Sequence, residues 1–272
     1  MPRIALISDV HGNTPALLAV LDAISADGIE MIVNLGDVAS GGVDPRGTLD
    51  VLRTRTDIVN IKGNHERQLL TLEADRMGLS DRLASHVLTD DDRAWLDTLP
   101  ARLEIAPGVL AFHGAPDDDL CYLLETVDAG ARNALRQASD DEVVERLGAS
   151  AGQYDLYACG HTHLQRTRWL RDGSLIVNPG SVGWPAYEDD APVPHRVEAG
   201  SPHARYTVIE KDAGGWHAEE RRVDYDLAAA VTLAHGNGRP DVAHALRTGF
   251  VGVDRDRLGR AHRRPTRSGN TS

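Results

Sequence analysis

Residues 3–37 read RIALISDVHGNTPALLAVLDAISADGIEMIVNLGD, and they hold a complete strand–helix–strand unit. The apolar run Arg3 to Ser8 reads as a buried strand. A helix follows from about Pro15 to Ala26, with Asn13 or Thr14 as N-cap, Pro15 at the first helical position and Gly28 ending the pattern. Leu17, Leu18, Leu21 and Ile24 form its apolar stripe. MIVNLG then makes a second strand, Asp44-Pro45 opens a second helix through about Arg53, and IVNIKG is a third strand. Strands joined by helices of this length imply βαβ units and a largely parallel sheet.

Outward from this unit the chain turns helical past Glu66. Thr89 is an N-cap, followed by Asp90, Asp91 and Asp92, and Pro100 stops that helix. VLAFHG, YDLYACG and SLIVNPG return to strand. ARYTVIEKD and GWHAEERRVDYD form a β-hairpin about Gly214-Gly215, and a closing helix covers roughly Leu227 to Arg247. Residues 117–152 are acidic and read as a helical cap or insertion, and 184–202, rich in Pro, Asp and Glu, read as an exposed loop. Residues 1–252 are thus expected to form one domain, and 253–272, which carry six arginines from Asp254 onward, a disordered basic tail.

With 272 residues, 41% hydrophobic and 26% charged, the chain can bury a real core. No stretch approaches the ~20 apolar residues that cross a bilayer, and the N-terminus lacks the pattern of a signal peptide. Cys121 and Cys159 have no CxxC spacing, so no disulfide framework is expected and a cytoplasmic location is the default. Cys159 reads as a small core residue. A net charge of -12 argues against stable nucleic-acid binding. It leaves room for a small phosphate ester, because bound metal reverses the field locally.

Polar clusters recur directly after the strands: Asp9-Val10-His11, Gly36-Asp37, Gly63-Asn64-His65-Glu66, His113-Gly114 and His161-Thr162-His163. Ligands of open α/β sheets bind at those carboxyl ends. One such cluster is an ordinary turn; a set of them is a site. Asp9, His11, Asp37, Asn64, His113, His161 and His163 form a mixed nitrogen and oxygen donor set without thiolate. That set suits Mn²⁺, Fe, Zn²⁺ or Ni²⁺. Seven ligands are too many for one ion, but with one carboxylate shared they supply two.

The ordered motifs D-x-H, G-D, G-N-H-E, H-G and G-H-T-H resemble the calcineurin-like metallophosphoesterases. GHTHLQ followed by VNPGSVGWP is similar to the small bacterial and archaeal phosphodiesterase branch. The resemblance spans Asp9 to about Gly183. It implies a four-layer α/β/β/α sandwich, here with the helical insertion and a C-terminal β-hairpin plus helix. It also implies two divalent transition-metal ions, Mn²⁺ foremost. Asp9, His11 and His163 would hold the first ion, Asn64, His113 and His161 the second, and Asp37 would bridge them. His65 would be the catalytic histidine that contacts the phosphate and protonates the leaving oxygen. Asn13 would either touch the phosphate or cap its helix.

The expected chemistry is hydrolysis of a small or nucleotide-like phosphodiester by a metal-activated water. Phosphoprotein phosphatases of the superfamily carry an Asp-Arg pair shortly after G-D, where GDVASGG has Ser40 and Gly41. Loss of the arginine removes a bidentate grip on a terminal phosphate, which a diester needs less. A phosphomonoesterase, protein phosphatases included, is the second reading. A non-catalytic scaffold is the third, disfavoured because no ligand position is missing. Oligomeric state is left open, a homo-oligomer included.

Overall fold

The computed structural model describes residues 3–252, so the basic tail expected at 253–272 lies outside the described residues. Strand β1 (Ile4–Ile7) shows in four residues how the layers form. Its side chains alternate: Ala5 and Ile7 face a helical layer, whereas Ile4 and Leu6 face a second sheet. Both faces are therefore apolar, as a strand buried between two layers must be.

The first βαβ units run through α1 (Thr14–Ala26), β2 (Met31–Asn34), α2 (Pro45–Thr54), β3 (Ile58–Asn60) and α3 (Asn64–Thr71). Next come α4 (Leu79–Val87), α5 (Asp90–Thr98), β4 (Arg102–Ala106) and β5 (Val109–Phe112). A short hairpin of β6 (Glu125–Val127) and β7 (Leu135–Gln137) precedes α6 (Asp140–Leu147), β8 (Leu156–Ala158), β9 (Arg166–Trp169) and β10 (Leu175–Asn178). The chain ends through the hairpins β11 (Ala186–Asp189) with β12 (His195–Glu198) and β13 (Ala204–Asp212) with β14 (Gly215–Val223), then α7 (Leu227–Gly236) and α8 (Pro240–Thr248).

One sheet has the order β14-β13-β1-β2-β3 and the other β4-β5-β8-β10-β9. Strands β1, β2 and β3 are parallel, as are β5, β8 and β10. The sheets meet through Leu6, Val33, Val109, Ala158 and Val177. Helices α1, α2, α3 and α5 cover the first sheet through Leu17, Leu49, Leu69 and Leu96. Helix α6 covers the second through Val143 and Leu147, against Phe112, Tyr157 and a buried Cys159. These are the four layers of an α/β/β/α sandwich.

Asn13 caps α1, its side chain accepting from Ala16 N at 3.2 Å. Four details differ from the sequence reading. Leu18 points to solvent, and Val20 completes the buried stripe. The segment 117–152 is a hairpin followed by one helix, because β-branched Thr126 and Val127 favour strand. The expected loop at 184–202 contains the β11–β12 hairpin. The closing helix is two helices, interrupted where Gly238 adopts a φ of 70° and Pro240 starts α8. That break matters, because Arg239 sits in it.

Candidate metal centre

Five of the six parallel strands deliver a polar cluster to one edge of the sandwich. Asp9 follows β1, Asp37 follows β2, Asn64 opens α3 after β3, His113 follows β5, and His161 and His163 follow β8. The turns that aim these side chains are unusual. Asp9, His11, Asp37, His161 and His163 all have φ between 49° and 70°, and they are five of the seven non-glycine residues with positive φ among those described. Asp and His enter this left-handed region more readily than most residues, at a conformational cost of about 1 kcal/mol or more each. Such strain persists where surrounding structure enforces it. Here Gly160 brings two loops together: a Cβ there would lie 2.1 Å from Ser8 Oγ.

The side chains fall into two groups. Asp9, His11 and His163 bring one donor atom each within 4.8 Å of one another, and so do Asp37, His113 and His161. Asp37 lies between the groups, with Oδ2 3.1 Å from His113 Nε2 and 3.9 Å from His11 Nε2. Asn64 Oδ1 is 3.0 Å from His113 Nε2.

Three rings are oriented from behind. His11 Nδ1 lies 2.5 Å from Ser40 O, His113 Nδ1 2.8 Å from Leu35 O, and His163 Nδ1 2.6 Å from Trp184 O. A carbonyl only accepts, so each Nδ1 carries a proton and each ring turns Nε2 inward, where the neutral form would offer a lone pair. The Nε2 atoms of His11 and His163 then face one another at 3.0 Å. Two lone pairs at that distance repel unless a cation shares them. Asp9 Oδ1, fully buried, makes no hydrogen bond and has His163 Nε2 beside it at 3.4 Å, a costly state for a carboxylate oxygen unless a cation joins them. Donor chemistry, orientation and the orphaned oxygen all fit metal binding.

Charge in the protein alone is arranged accordingly. Burial, then the charge of neighbouring His163, lowers the pKa of His11 to about 3, and burial with His113 lowers that of His161 to about 4. Both are neutral, metal-ready imidazoles at ordinary pH. Burial works against a charged His113, but Asp37 outweighs it and raises the pKa to about 10. Asp37 is held well below the usual carboxylate range: burial opposes this, and the histidines around it overcome burial.

His65 adjoins both groups: one of its ring nitrogens, one donor atom of His11 and one of Asp37 lie within 4.8 Å of one another, and its ring is 5.3 Å from that of His11. Its Nδ1 lies 2.6 Å from Asp81 Oδ1, which also accepts from Ser40 Oγ. Burial disfavours its charge, yet Asp37 and Asp81 raise its pKa to about 9. An orienting carboxylate is therefore present, supplied by α4 rather than by the loop after β2. Gly41 excludes any side chain at its own position, where a Cβ would lie 1.8 Å from His11 O.

Sequence reasoning missed three supporting residues. Asp81 has no local signal, since only the fold brings α4 beside His65. Glu66, singled out without a role, accepts from Asp37 N, Val38 N and Gly63 N at 2.8–2.9 Å and so ties two site loops together. Arg239 lies beyond the motif region. For Asn13 the structure favours the cap: its Oδ1 serves α1 and its Nδ2 donates to Gly183 O at 3.0 Å. A cavity of about 1700 Å³ opens over the centre, with Tyr122 and Tyr187 on one wall and Trp184 and Arg239 on another. No helix among the described residues is long and apolar enough to cross a membrane.

Comparison with known proteins bears on the family and the fold. A family model described as the calcineurin-like phosphoesterase superfamily domain matches residues 3–195. An uncharacterized protein of Methanocaldococcus jannaschii is 27% identical over 261 residues, covering 88% of this chain and 94% of that protein. A metallophosphoesterase from Sphaerobacter thermophilus superposes with a TM-score of 0.69 at 23% identity, over 91% of this chain and 99% of that one. A hypothetical protein from Pyrococcus horikoshii gives 0.70 at 17%, over 93% and 100%.

Proposed function

The chain belongs to the calcineurin-like phosphoesterase superfamily, and within it we propose a metal-dependent hydrolase of small phosphate esters that prefers diesters. Asp9, His11 and His163 hold one divalent ion; Asn64, His113 and His161 hold a second; Asp37 is shared. The observation that carries this reading is the pair of inward Nε2 atoms of His11 and His163, 3.0 Å apart beside the unpartnered Asp9 oxygen. Bound there, two divalent ions neutralise phosphoryl charge and acidify the attacking water.

The chain's own residues do the rest. His65 is the catalytic acid: Asp81 on Nδ1 fixes the ring, and Nε2 makes no hydrogen bond to the protein among the described residues. With Nδ1 held by Asp81, a proton on Nε2 is placed for delivery to the leaving oxygen. Asp37 accepts from the His65 backbone N at 3.0 Å and so fixes the start of the helix that carries the ring. Trp184 packs edge-on against the His11 ring and keeps that side of the centre dry.

Diesters are favoured because position 41 cannot carry the arginine that would clamp a terminal phosphate. Mn²⁺ is the first metal to try for this donor set. The test is the ratio of kcat/KM for bis-p-nitrophenyl phosphate to that for p-nitrophenyl phosphate in Mn²⁺-loaded protein. A ratio above one is expected. A clear preference for the monoester would refute the diester reading.

A further inference from the structure

Two arginines line the cavity among the described residues, Arg146 and Arg239, and they differ in how they are tied to the metal centre. Arg146 is held by the segment around β6, its Nη1 donating to the carbonyls of Tyr122, Leu123 and Glu125 and its Nη2 to Thr126 Oγ1. Arg239 donates Nε and Nη2 to the Asp241 carboxylate, at 3.0 and 2.7 Å, and Nη1 to Ser80 Oγ at 2.7 Å. One N–H on each terminal nitrogen is left over. Although only 7% exposed, the residue lines the cavity wall. A buried guanidinium with unspent donors beside an active-site cavity is a receptor for an anion.

Its placement is tied to the metal centre twice. The guanidinium stacks over the Trp184 ring at 5.5 Å, and that ring lies 5.1 Å from His11. Its partner Ser80 immediately precedes Asp81, which holds His65. The stem passes beside Gly42, where a Cβ would lie 3.2 Å from Arg239 Cβ. The residue therefore stands next to Gly42, but reaches the cavity from the α7–α8 break, outside the segment matched by the family model. With Trp184 between it and His11, Arg239 is one ring removed from the ion cluster. An anion gripped there is a different group from the phosphoryl centre under attack.

We propose that Arg239, with Ser80, forms a second anion subsite, so that the preferred substrate is a phosphate ester carrying an additional phosphate on the arm retained over Trp184. This rests on the phosphoesterase reading for the reaction at the neighbouring centre. Asp241 takes Nε and Nη2 side-on, so an incoming phosphate meets the N–H groups that this carboxylate leaves. An incoming phosphate offers the two remaining N–H groups a bidentate partner.

The experiment compares two chromogenic esters in the Mn²⁺-loaded full chain: thymidine 5′-(p-nitrophenyl phosphate) and the same compound bearing a 3′-phosphate. Calorimetric binding of thymidine 5′-phosphate and thymidine 3′,5′-bisphosphate is measured alongside, in wild type, Arg239→Gln and Asp241→Asn. In wild type the additional phosphate should improve kcat/KM and affinity by roughly 10-fold or more, the scale of a charge-assisted hydrogen bond. Arg239→Gln should reduce that advantage to about one, and Asp241→Asn, which frees the guanidinium, should increase it. No advantage in wild type, or one that survives Arg239→Gln, overturns the subsite. If Arg239→Gln does not fold, Asp241→Asn decides, and an unchanged advantage overturns it. Absence of hydrolysis of both esters would defeat the reaction reading, whereas the binding difference would still report the subsite.

Discussion

Replacing Asp81 with Asn perturbs the site at one atom. Asp81 Oδ1 accepts from both His65 Nδ1, at 2.6 Å, and Ser40 Oγ, and the substitution keeps its shape while removing its charge. A hydrogen bond to a charged group contributes about 1.5–3 kcal/mol. At about 1.4 kcal/mol per unit, that lowers the His65 pKa by roughly 1 to 2 units. The sign follows from the role of the ring. A general acid works while protonated, so activity is present below its pKa and lost as pH rises through it. Asp81→Asn should therefore shift the alkaline limb of the kcat/KM profile toward lower pH by roughly 1 to 2 units and cut the rate on that limb about 10- to 100-fold. The loss should be larger for an ester with a basic alkoxide leaving group than for one releasing nitrophenolate, which needs little protonation. Metal content should stay at the wild-type value, because Asp81 belongs to neither donor group. An unshifted alkaline limb, or equal losses for the two leaving groups, would refute the assignment of His65 and Asp81 as acid and orienter.

Other perturbations probe the scaffold. Asp37→Ala removes the donor between both groups, and elemental analysis should find both ions lost rather than one. Gly41→Ala places a methyl 1.8 Å from His11 O, so the His11 loop must move; weaker metal binding is expected, read by competition with a chelator. Asp92 accepts from Arg46, Arg53 and the Thr89 amide while fully buried. Asp92→Ala should cost about 3 kcal/mol in chemical denaturation. Burial opposes ionisation of this carboxyl, but its arginine and Thr89 partners hold it below the ordinary range. Its stabilisation is present above the unfolded pKa and disappears as pH falls through the folded one, so the variant should show a flatter acid limb of stability.

Much of this molecule was legible in its sequence because the centre is built by short-range rules. A short apolar run such as Ile4–Ile7, bounded by turn residues, reads as a buried strand, and the Asp and His after it mark the turn at its carboxyl end. Caps were legible for the same reason, as at Asn13 and Thr89. Edge strands were not. Residues Arg166–Trp169 and His195–Glu198 alternate polar and apolar groups weakly, because only part of each strand is buried. Asp81 and Arg239 were invisible for a different reason. Their roles come from long-range packing, 16 residues from His65 in one case and 159 from Ser80 in the other. No local pattern encodes a partner that far away.

The central claim is a dinuclear phosphoesterase centre, and it is tested most directly by hydrolysis rate against equivalents of Mn²⁺ bound per chain. Apoprotein is titrated with Mn²⁺, and bound metal and turnover of bis-p-nitrophenyl phosphate are read on the same samples. Turnover should track occupancy of a second equivalent and reach its plateau at two. Full activity in metal-free protein, a plateau at one equivalent, or no turnover with two bound would contradict it.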